Sequence, residues 1–264
     1  MRRFDSLTHA TQNGEWINYR DDASIVRLIN ELDRASVNRA CLVGIEGYID
    51  NDCVREYAKA YPAKFVPIAG FNPVKFDNAQ AINHEIKSIA EQGWAGIKLH
   101  PRLNNYDCSD LRLMHTMESA GKYGLILFID TLFRQKLYPS GSPSDIIDRT
   151  VARFPDTQTV LLHGGGPNLL EVFDLVRMHK HLILDLSFTV MRYAGSSLDA
   201  DISFVCKNLD QRVVVGSDMP EYTPTQAFNR IEELAKELNK EKISNIFFKN
   251  LENLFSSWNP LKLS

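Results

Sequence analysis

The sequence of 264 residues predicts a (β/α)8 barrel, in which eight parallel strands alternate with helices and close into a ring. Two observations indicate this fold class. Short apolar runs of strand length alternate along the chain with amphipathic segments of helical length. Several of the apolar runs also stop at a polar residue that can hold a metal ion or a proton. In such a barrel the carboxyl ends of the strands meet at one mouth, where catalysis takes place.

Eight runs rich in β-branched or large apolar residues are predicted to be strands, each closed by glycine, proline or a polar group. Several of them are almost wholly apolar, as a sheet that is covered on both faces requires. In chain order, the predicted strands cover residues 3–9, 39–45, 65–71, 96–101, 125–130, 159–163, 182–186 and 212–217.

The gaps between these strands have helical periodicity. The first gap carries Ile25, Leu28, Ile29 and Leu32 at the spacing of one helix face. Strands that alternate with helices imply parallel pairing through right-handed crossovers. We predict that residues 243–254 form a last helix that closes the barrel. Faces similar to the first recur over residues 54–61, 81–92, 111–124, 145–154, 168–179, 200–209 and 227–239.

A doubly wound open sheet is the alternative architecture. It normally carries a G-x-G-x-x-G phosphate turn after its first strand, and the segment LTHATQNG lacks one. The glycine triplet in LLHGGG precedes a helix, but a lone triplet is more typical of a tight turn than of a phosphate site. The chain has no linker or low-complexity segment, so we expect residues 1–264 to form a single domain.

Composition and charge exclude several classes of partner. The net charge is −3 and the pI is near 6.2, with no basic stripe, so we expect neither nucleic acid nor an anionic membrane as a partner. The four cysteines are scattered without a CxxC pair, as is typical of reduced thiols. The sequence shows no secretory signal and no apolar stretch of about 18 residues. We expect a cytoplasmic protein with a small-molecule substrate.

The polar residues at the strand ends are the candidates for chemistry. Side chains alternate across a strand, so Lys98 and His100 lie on the same face of the fourth strand. Nitrogen and oxygen donors gathered at the mouth suit Zn²⁺, Mn²⁺ or Fe²⁺, and such a metal lowers the pKa of bound water. The strand-end candidates are His9, His100, Asp130, His163 and Asp218.

Basic side chains near the same strand ends predict a carboxylated substrate. Arg102, Arg134 and Arg192 each follow a strand, and a guanidinium can hold a carboxylate through two hydrogen bonds. Together with His100 and Lys98, they are predicted to bind substrate. A solvated loop position is the alternative for each arginine. Lys98 has further alternatives, namely carbamylation, a Schiff base, or neutralisation of an inner carboxylate such as Asp5.

The motifs together resemble those of a known family. A strand-one D-x-x-x-H, GIKLHP, LLHGGG, GSDMP and a late KNLENLF are similar to the amidohydrolase-related (amidohydrolase 2) family of the amidohydrolase superfamily of TIM-barrel enzymes. The resemblance covers essentially the whole chain. The family contains metal-dependent hydrolases, non-oxidative decarboxylases of aromatic or related acids, and some metal-independent lactonases. Related barrels often form homodimers, so the resemblance also suggests a second copy of the chain as a partner.

Two of the four metal ligands that the resemblance implies are changed. Family members usually carry D-x-H-x-H in strand one and a histidine at the end of strand five, and this chain has Leu7 and Asp130 at two of those places. His163 and Asp218 keep the strand-six and strand-eight positions. The possible metal shell is then His9, Asp130 and Asp218, with His100 or His163 near enough to complete it. Zn²⁺ is the first expectation for this shell, and Mn²⁺ is the second.

These observations predict a hydrolase or decarboxylating lyase that acts on a small carboxylated substrate. His163 or Asp218 is the expected general base toward water, which a divalent metal or a polar cluster activates. The loss of a ligand at Leu7 favours an alternative, a metal-independent lactonase-like hydrolase. A further alternative is a barrel that has lost catalysis and acts as a binding subunit.

Overall fold

The protein is described by a computed structural model that covers residues 1–132, 143–151 and 153–263. Eight strands lie in one sheet in chain order, and every neighbouring pair is parallel. The last strand returns to the first, where Asp218 N–H donates to Leu7 O at 2.9 Å and Ser6 N–H donates to Val215 O at 3.0 Å. The sheet therefore forms the predicted (β/α)8 TIM barrel, and the open-sheet alternative is excluded.

All eight predicted strands are present, and most of them end earlier than predicted. Residues at the mouth leave the ladder to turn into the site: His163 and Asp218 have left-handed backbones, with φ of +65° and +57°. The strands are β1 (Phe4–Thr8), β2 (Arg39–Val43), β3 (Phe65–Phe71), β4 (Gly96–Leu99), β5 (Ile126–Asp130), β6 (Thr159–Leu162), β7 (Leu182–Asp185) and β8 (Val213–Val214).

Helices surround the strands, and the predicted apolar faces turn inward, as Leu28 and Leu32 of the first helix do. The helices are α1 (Ile25–Arg34), α2 (Asn51–Ala60), α3 (Ala79–Glu91), α4 (Pro101–Asn104), α5 (Leu111–Lys122), α6 (Pro143–Val151), α7 (Leu169–Met178), α8 (Thr189–Arg192), α9 (Leu198–Asn208), α10 (Pro224–Leu234), α11 (Lys240–Ser244) and α12 (Asn250–Leu254). None of the described helices is both long and apolar enough to span a membrane.

The predicted closing helix is present as α11, a π turn over Asn245–Lys249, and α12. Phe255 follows this closing segment and stacks on Phe4 and Phe128, with ring centroids 5.9 and 6.4 Å apart. These rings belong to the apolar cluster that fills the barrel interior. Because Phe4 begins β1, the closing segment seals the amino-terminal end of the barrel. The carboxyl ends of the strands remain as the open mouth.

Candidate functional site

A cavity of about 520 Å³ lies at the carboxyl ends of the strands. A neighbouring cavity of about 610 Å³ shares Trp16 and Ile17 with it, but no histidine or basic side chain among the described residues lines that second space. We therefore place the candidate active site in the first cavity. The predicted site residues that line it are His9, Lys98, His100, Arg102, His163, Arg192 and Asp218. The prediction for Arg134 falls on a residue outside the described ranges.

His9 and Asp218 form a pair of proton acceptors. The His9 Nδ1 lies 2.7 Å from the Val43 carbonyl, which can only accept, so Nδ1 carries the proton. Its Nε2 lies 3.5 Å from Asp218 Oδ1. Burial, together with the charge of Lys98, lowers the pKa of His9, which favours the neutral ring. The Nε2 lone pair is therefore directed at the Asp218 carboxylate.

Asp218 is ionised at neutral pH. Burial alone would raise the pKa of its carboxyl group, but the pKa is lowered instead: a hydrogen bond from His9 does this when Nε2 is protonated, and the charges of His163 and Lys98 act in the same direction when the His9 ring is neutral. The two side chains thus present a lone pair and a negative charge to the same side of the cavity.

Asp130 is held by three donors. Its Oδ2 lies 3.4 Å from His100 Nε2, 3.4 Å from His163 Nε2 and 3.3 Å from Arg102 Nη2. Burial opposes ionisation, but the interaction with His100, the hydrogen bond from His163 and the charges of His163 and Arg102 hold the pKa of Asp130 well below its usual range. Asp130 is therefore an ion-paired carboxylate.

His100 is a neutral donor. Its Nδ1 accepts the N–H of Leu103 at 3.4 Å, so the proton of the neutral ring lies on Nε2 and is donated to Asp130. Burial lowers the pKa of His100 to about 3. The Nε2 of His100 consequently has no lone pair to offer a metal ion.

His163 is the histidine of the donor group whose pKa is raised. Its Nδ1 lies 3.2 Å from the Ser187 carbonyl and 3.1 Å from Ser187 Oγ. Burial works against the charged ring, but the hydrogen bond to Asp130 and the charges of Asp218 and Asp130 raise the pKa of His163. The geometry thus favours charge stabilisation by His163, and the role of general base is better suited to Asp218.

Lys98 and Arg192 are basic side chains at the cavity wall. Lys98 is 2% exposed, and burial lowers its pKa, although the charges of Asp218 and Asp130 offset part of this effect. Asp218 and Asp130, rather than Asp5, are the carboxylates that raise the pKa of Lys98 most. Arg192 is exposed at the rim of the cavity.

The residues present do not fit the four-ligand metal shell that the family resemblance implies. In the described parts of the chain, no group of three or more His, Cys, Asp or Glu side chains is placed to hold a metal ion. His9 and Asp218 meet, but Leu7 is a fully buried apolar side chain in the barrel interior. Asp130 already accepts from three donors. The expected shell of His9, Asp130 and Asp218 is therefore not assembled.

Three further polar residues at or beneath the cavity were not singled out from the sequence. Glu221 lines the cavity and accepts from Trp16 Nε1 at 2.7 Å, which holds the Trp16 ring against His9 with centroids 5.2 Å apart. Asp185 and Ser187 lie beneath His163. Asp185 ends an apolar strand as Asp130 does, so the strand-end pattern could have found it. Ser187 carries no comparable signal.

Known proteins share this architecture. The sequence profile of the family described as Amidohydrolase matches residues 22–250, which begins after the strand that carries Leu7. No curated protein matches the chain. An uncharacterized TIM-barrel protein from Bordetella bronchiseptica is 19% identical, with 97% of this chain and 99% of that chain covered and a TM-score of 0.81.

Two further solved structures are more distant in sequence. An amidohydrolase from Burkholderia multivorans with bound zinc is 14% identical, with coverage of 97% and 99% and a TM-score of 0.71. A 5-carboxyvanillate decarboxylase from Novosphingobium aromaticivorans, in complex with manganese and a nitrobenzoic acid, is 14% identical, with coverage of 96% and 96% and a TM-score of 0.68. At these identities the structures establish the fold alone, and the profile match over most of the chain establishes that it belongs to the amidohydrolase 2 family of the amidohydrolase TIM-barrel superfamily.

Proposed function

We propose that the protein is a hydrolase that acts on a small carboxylated ester or lactone and activates water with Asp218 and His9, without a resident metal. The observation that carries this proposal is the pairing of the neutral His9 Nε2 with the ionised Asp218 at 3.5 Å. Both groups accept hydrogen bonds and neither donates one. A water molecule that enters the cavity can donate one O–H bond to each.

The cavity brings together two kinds of group. Asp218 and His9 are proton acceptors, and Lys98, Arg102 and His163 are basic side chains. Such a combination suits the attack of water on a carbonyl group, in which a proton is lost at the nucleophile and negative charge develops on the carbonyl oxygen.

The chemical steps follow from this combination. The water oxygen forms a bond to the carbonyl carbon while its proton passes to Asp218, and the carbonyl oxygen becomes negative beside the basic side chains. The intermediate then collapses, the carbon–oxygen bond to the leaving group breaks, and the proton returns to that oxygen. No step in this sequence requires a metal ion.

The substrate class follows from the size and charge of the cavity. A volume of about 520 Å³ accommodates a small molecule. The exposed Arg192 at the rim suits a substrate carboxylate, because a guanidinium binds that group through two parallel hydrogen bonds. A ring of the substrate can lie along Trp16, which also lines the cavity.

Decarboxylation of an aromatic acid is the second candidate. It is supported by the basic wall of the cavity and by the fold that the chain shares with the decarboxylase from Novosphingobium aromaticivorans. The two candidates differ in product, since a decarboxylase releases CO₂ and a hydrolase gives a new acid and an alcohol.

The test is turnover of a panel of carboxylated lactones, aryl esters and aromatic diacids by the wild type and by Asp218→Asn. We expect hydrolysis of a lactone or ester, with kcat lowered about 10²–10⁴-fold in the variant because the proton acceptor is lost. Glu221→Gln is the matched control, since it neutralises another cavity carboxylate but keeps the acceptor for Trp16.

Three outcomes would contradict the proposal. Full activity in Asp218→Asn would remove Asp218 from the mechanism. Release of CO₂ from an aromatic diacid would favour the decarboxylase. Binding of a carboxylated ligand by the wild type, without turnover of any panel member, would favour a non-catalytic barrel.

A further inference from the structure

A buried carboxylate lies directly beneath His163. Asp185, at the end of β7, is fully buried, and its Oδ1 accepts the backbone N–H of His163 at 3.1 Å and that of Ser187 at 3.0 Å. The hydroxyl groups of Ser6 and Ser187 donate to its two oxygens. Asp185 therefore links β1, β6 and the segment after β7 at the level just below the cavity.

Burial raises the pKa of Asp185, and with its carboxylate ionised the direction of each hydrogen bond in this group is fixed. The Ser187 Oγ–H is donated to Asp185, so Ser187 Oγ can only accept from His163 Nδ1, 3.1 Å away. The other neighbour of Nδ1 is the Ser187 carbonyl, which also only accepts. The Nδ1 atom must consequently carry a proton, and a chain of donors runs from His163 through Ser187 to Asp185.

The same carboxylate also fixes the backbone of His163. The φ of +65° at this residue is unfavourable for a side chain other than glycine and persists only where the surroundings hold it. The bond from His163 N–H to Asp185 is one restraint, and the bond from Thr189 Oγ1 to His163 O at 2.6 Å is another. Backbone and ring of His163 thus depend on a common anchor.

We infer that Asp185, acting through Ser187, is the positioning residue for His163: it fixes the ring with Nδ1 protonated and directs Nε2 at Asp130 and the cavity. The effect of this orientation on turnover rests on the proposed function. The orientation itself follows from the hydrogen bonds alone and is independent of that function. A hydroxyl that is polarised by a buried carboxylate is a stronger partner for an imidazole N–H than a neutral carbonyl alone.

The chain offers a matched pair of variants to test this inference. Ser187→Ala and Ser6→Ala each remove one buried hydroxyl that donates to Asp185, but only Ser187 contacts the His163 ring. The readout is the Nδ1–H signal of His163 in ¹⁵N-histidine-labelled protein without substrate, assigned by its loss in His163→Gln. Solvent exchange of this proton reports the strength of its hydrogen bond.

We expect Ser187→Ala to accelerate exchange of the His163 Nδ1 proton by about tenfold, as the loss of one buried hydrogen bond of about 1.4 kcal/mol implies, and Ser6→Ala to leave it near the wild-type rate. Asp185→Asn, which keeps an acceptor for Ser187 but removes the charge, should give an intermediate rate. Unchanged exchange in Ser187→Ala, or equal acceleration in Ser6→Ala, would overturn the inference.

Turnover separates this result from the proposed function. With any panel substrate that the wild type converts, Ser187→Ala should lower kcat with little change in KM, and Ser6→Ala should lower neither. If Asp218→Asn remains active while the exchange rates behave as expected, the proposed function fails and the positioning role of Asp185 stands.

Discussion

The chemistry of the mouth depends on which nitrogen of each histidine carries a proton, and backbone neighbours decide this. The Val43 carbonyl fixes the proton of His9 on Nδ1, whereas the Leu103 N–H places that of His100 on Nε2. One ring therefore accepts toward Asp218 and the other donates toward Asp130. His9 and His100, which both follow a strand end, thus have opposite hydrogen-bonding roles at Nε2.

A second buried carboxylate, Asp5, makes stability depend on pH. It is fully buried on β1, and burial raises the pKa of its carboxyl group to about 7, although hydrogen bonds from Ser217 and Leu7 offset part of this effect. The unfolded chain releases the same proton near the ordinary value of 3.8. Between these two values the unfolded state binds fewer protons, so Asp5 lowers stability as pH rises.

We predict that Asp5→Asn removes this dependence. The free energy of unfolding of the wild type, relative to that of the variant, should fall by a few kcal/mol between pH 4 and pH 8, measured by urea titration at a series of pH values. Asp174→Asn, at an exposed position on α7, is the control. The difference in free energy of unfolding between the wild type and this variant should not change with pH. If the difference in free energy of unfolding between the wild type and Asp5→Asn is also independent of pH, the raised pKa of Asp5 is contradicted.

At the scale of single elements, the strand ends are the part that sequence patterns describe least well. Apolar runs predict all eight strands, but β6 ends at Leu162 because His163 adopts a left-handed backbone, and β8 is only two residues long. At β8 the N–H of Ser217 donates to the Asp5 carboxylate at 2.9 Å. These local bonds depend on residues far away in the sequence, and no periodicity records them.

The closing segment gives a test of element packing. Phe255 is 3% exposed and stacks on two rings of the barrel interior, so Phe255→Ala should lower the free energy of unfolding by about 3–5 kcal/mol. The same substitution at Phe204, which is 49% exposed, should cost about 1 kcal/mol. Urea unfolding measures both. Equal costs would show that the closing segment does not seal the barrel.

For the whole molecule, alternation of strands and helices was sufficient to predict the barrel, and the strand-end pattern was sufficient to bring His9, His100, His163 and Asp218 to one cavity. The sequence could not show that Asp130 would be occupied by three donors, since that depends on how close β4, β5 and β6 lie at the mouth. Nor could it show the buried support from Asp185, which joins strands that are distant along the chain.

The central claim is that the Asp218–His9 pair activates water without a metal. The most direct test is turnover by wild-type protein dialysed against a chelator, with its zinc and manganese content measured on the same sample. We expect metal well below one ion per chain, full hydrolytic activity, and no gain when Zn²⁺ or Mn²⁺ is restored. Activity that disappears with the metal and returns in proportion to added Zn²⁺ or Mn²⁺ would contradict the claim.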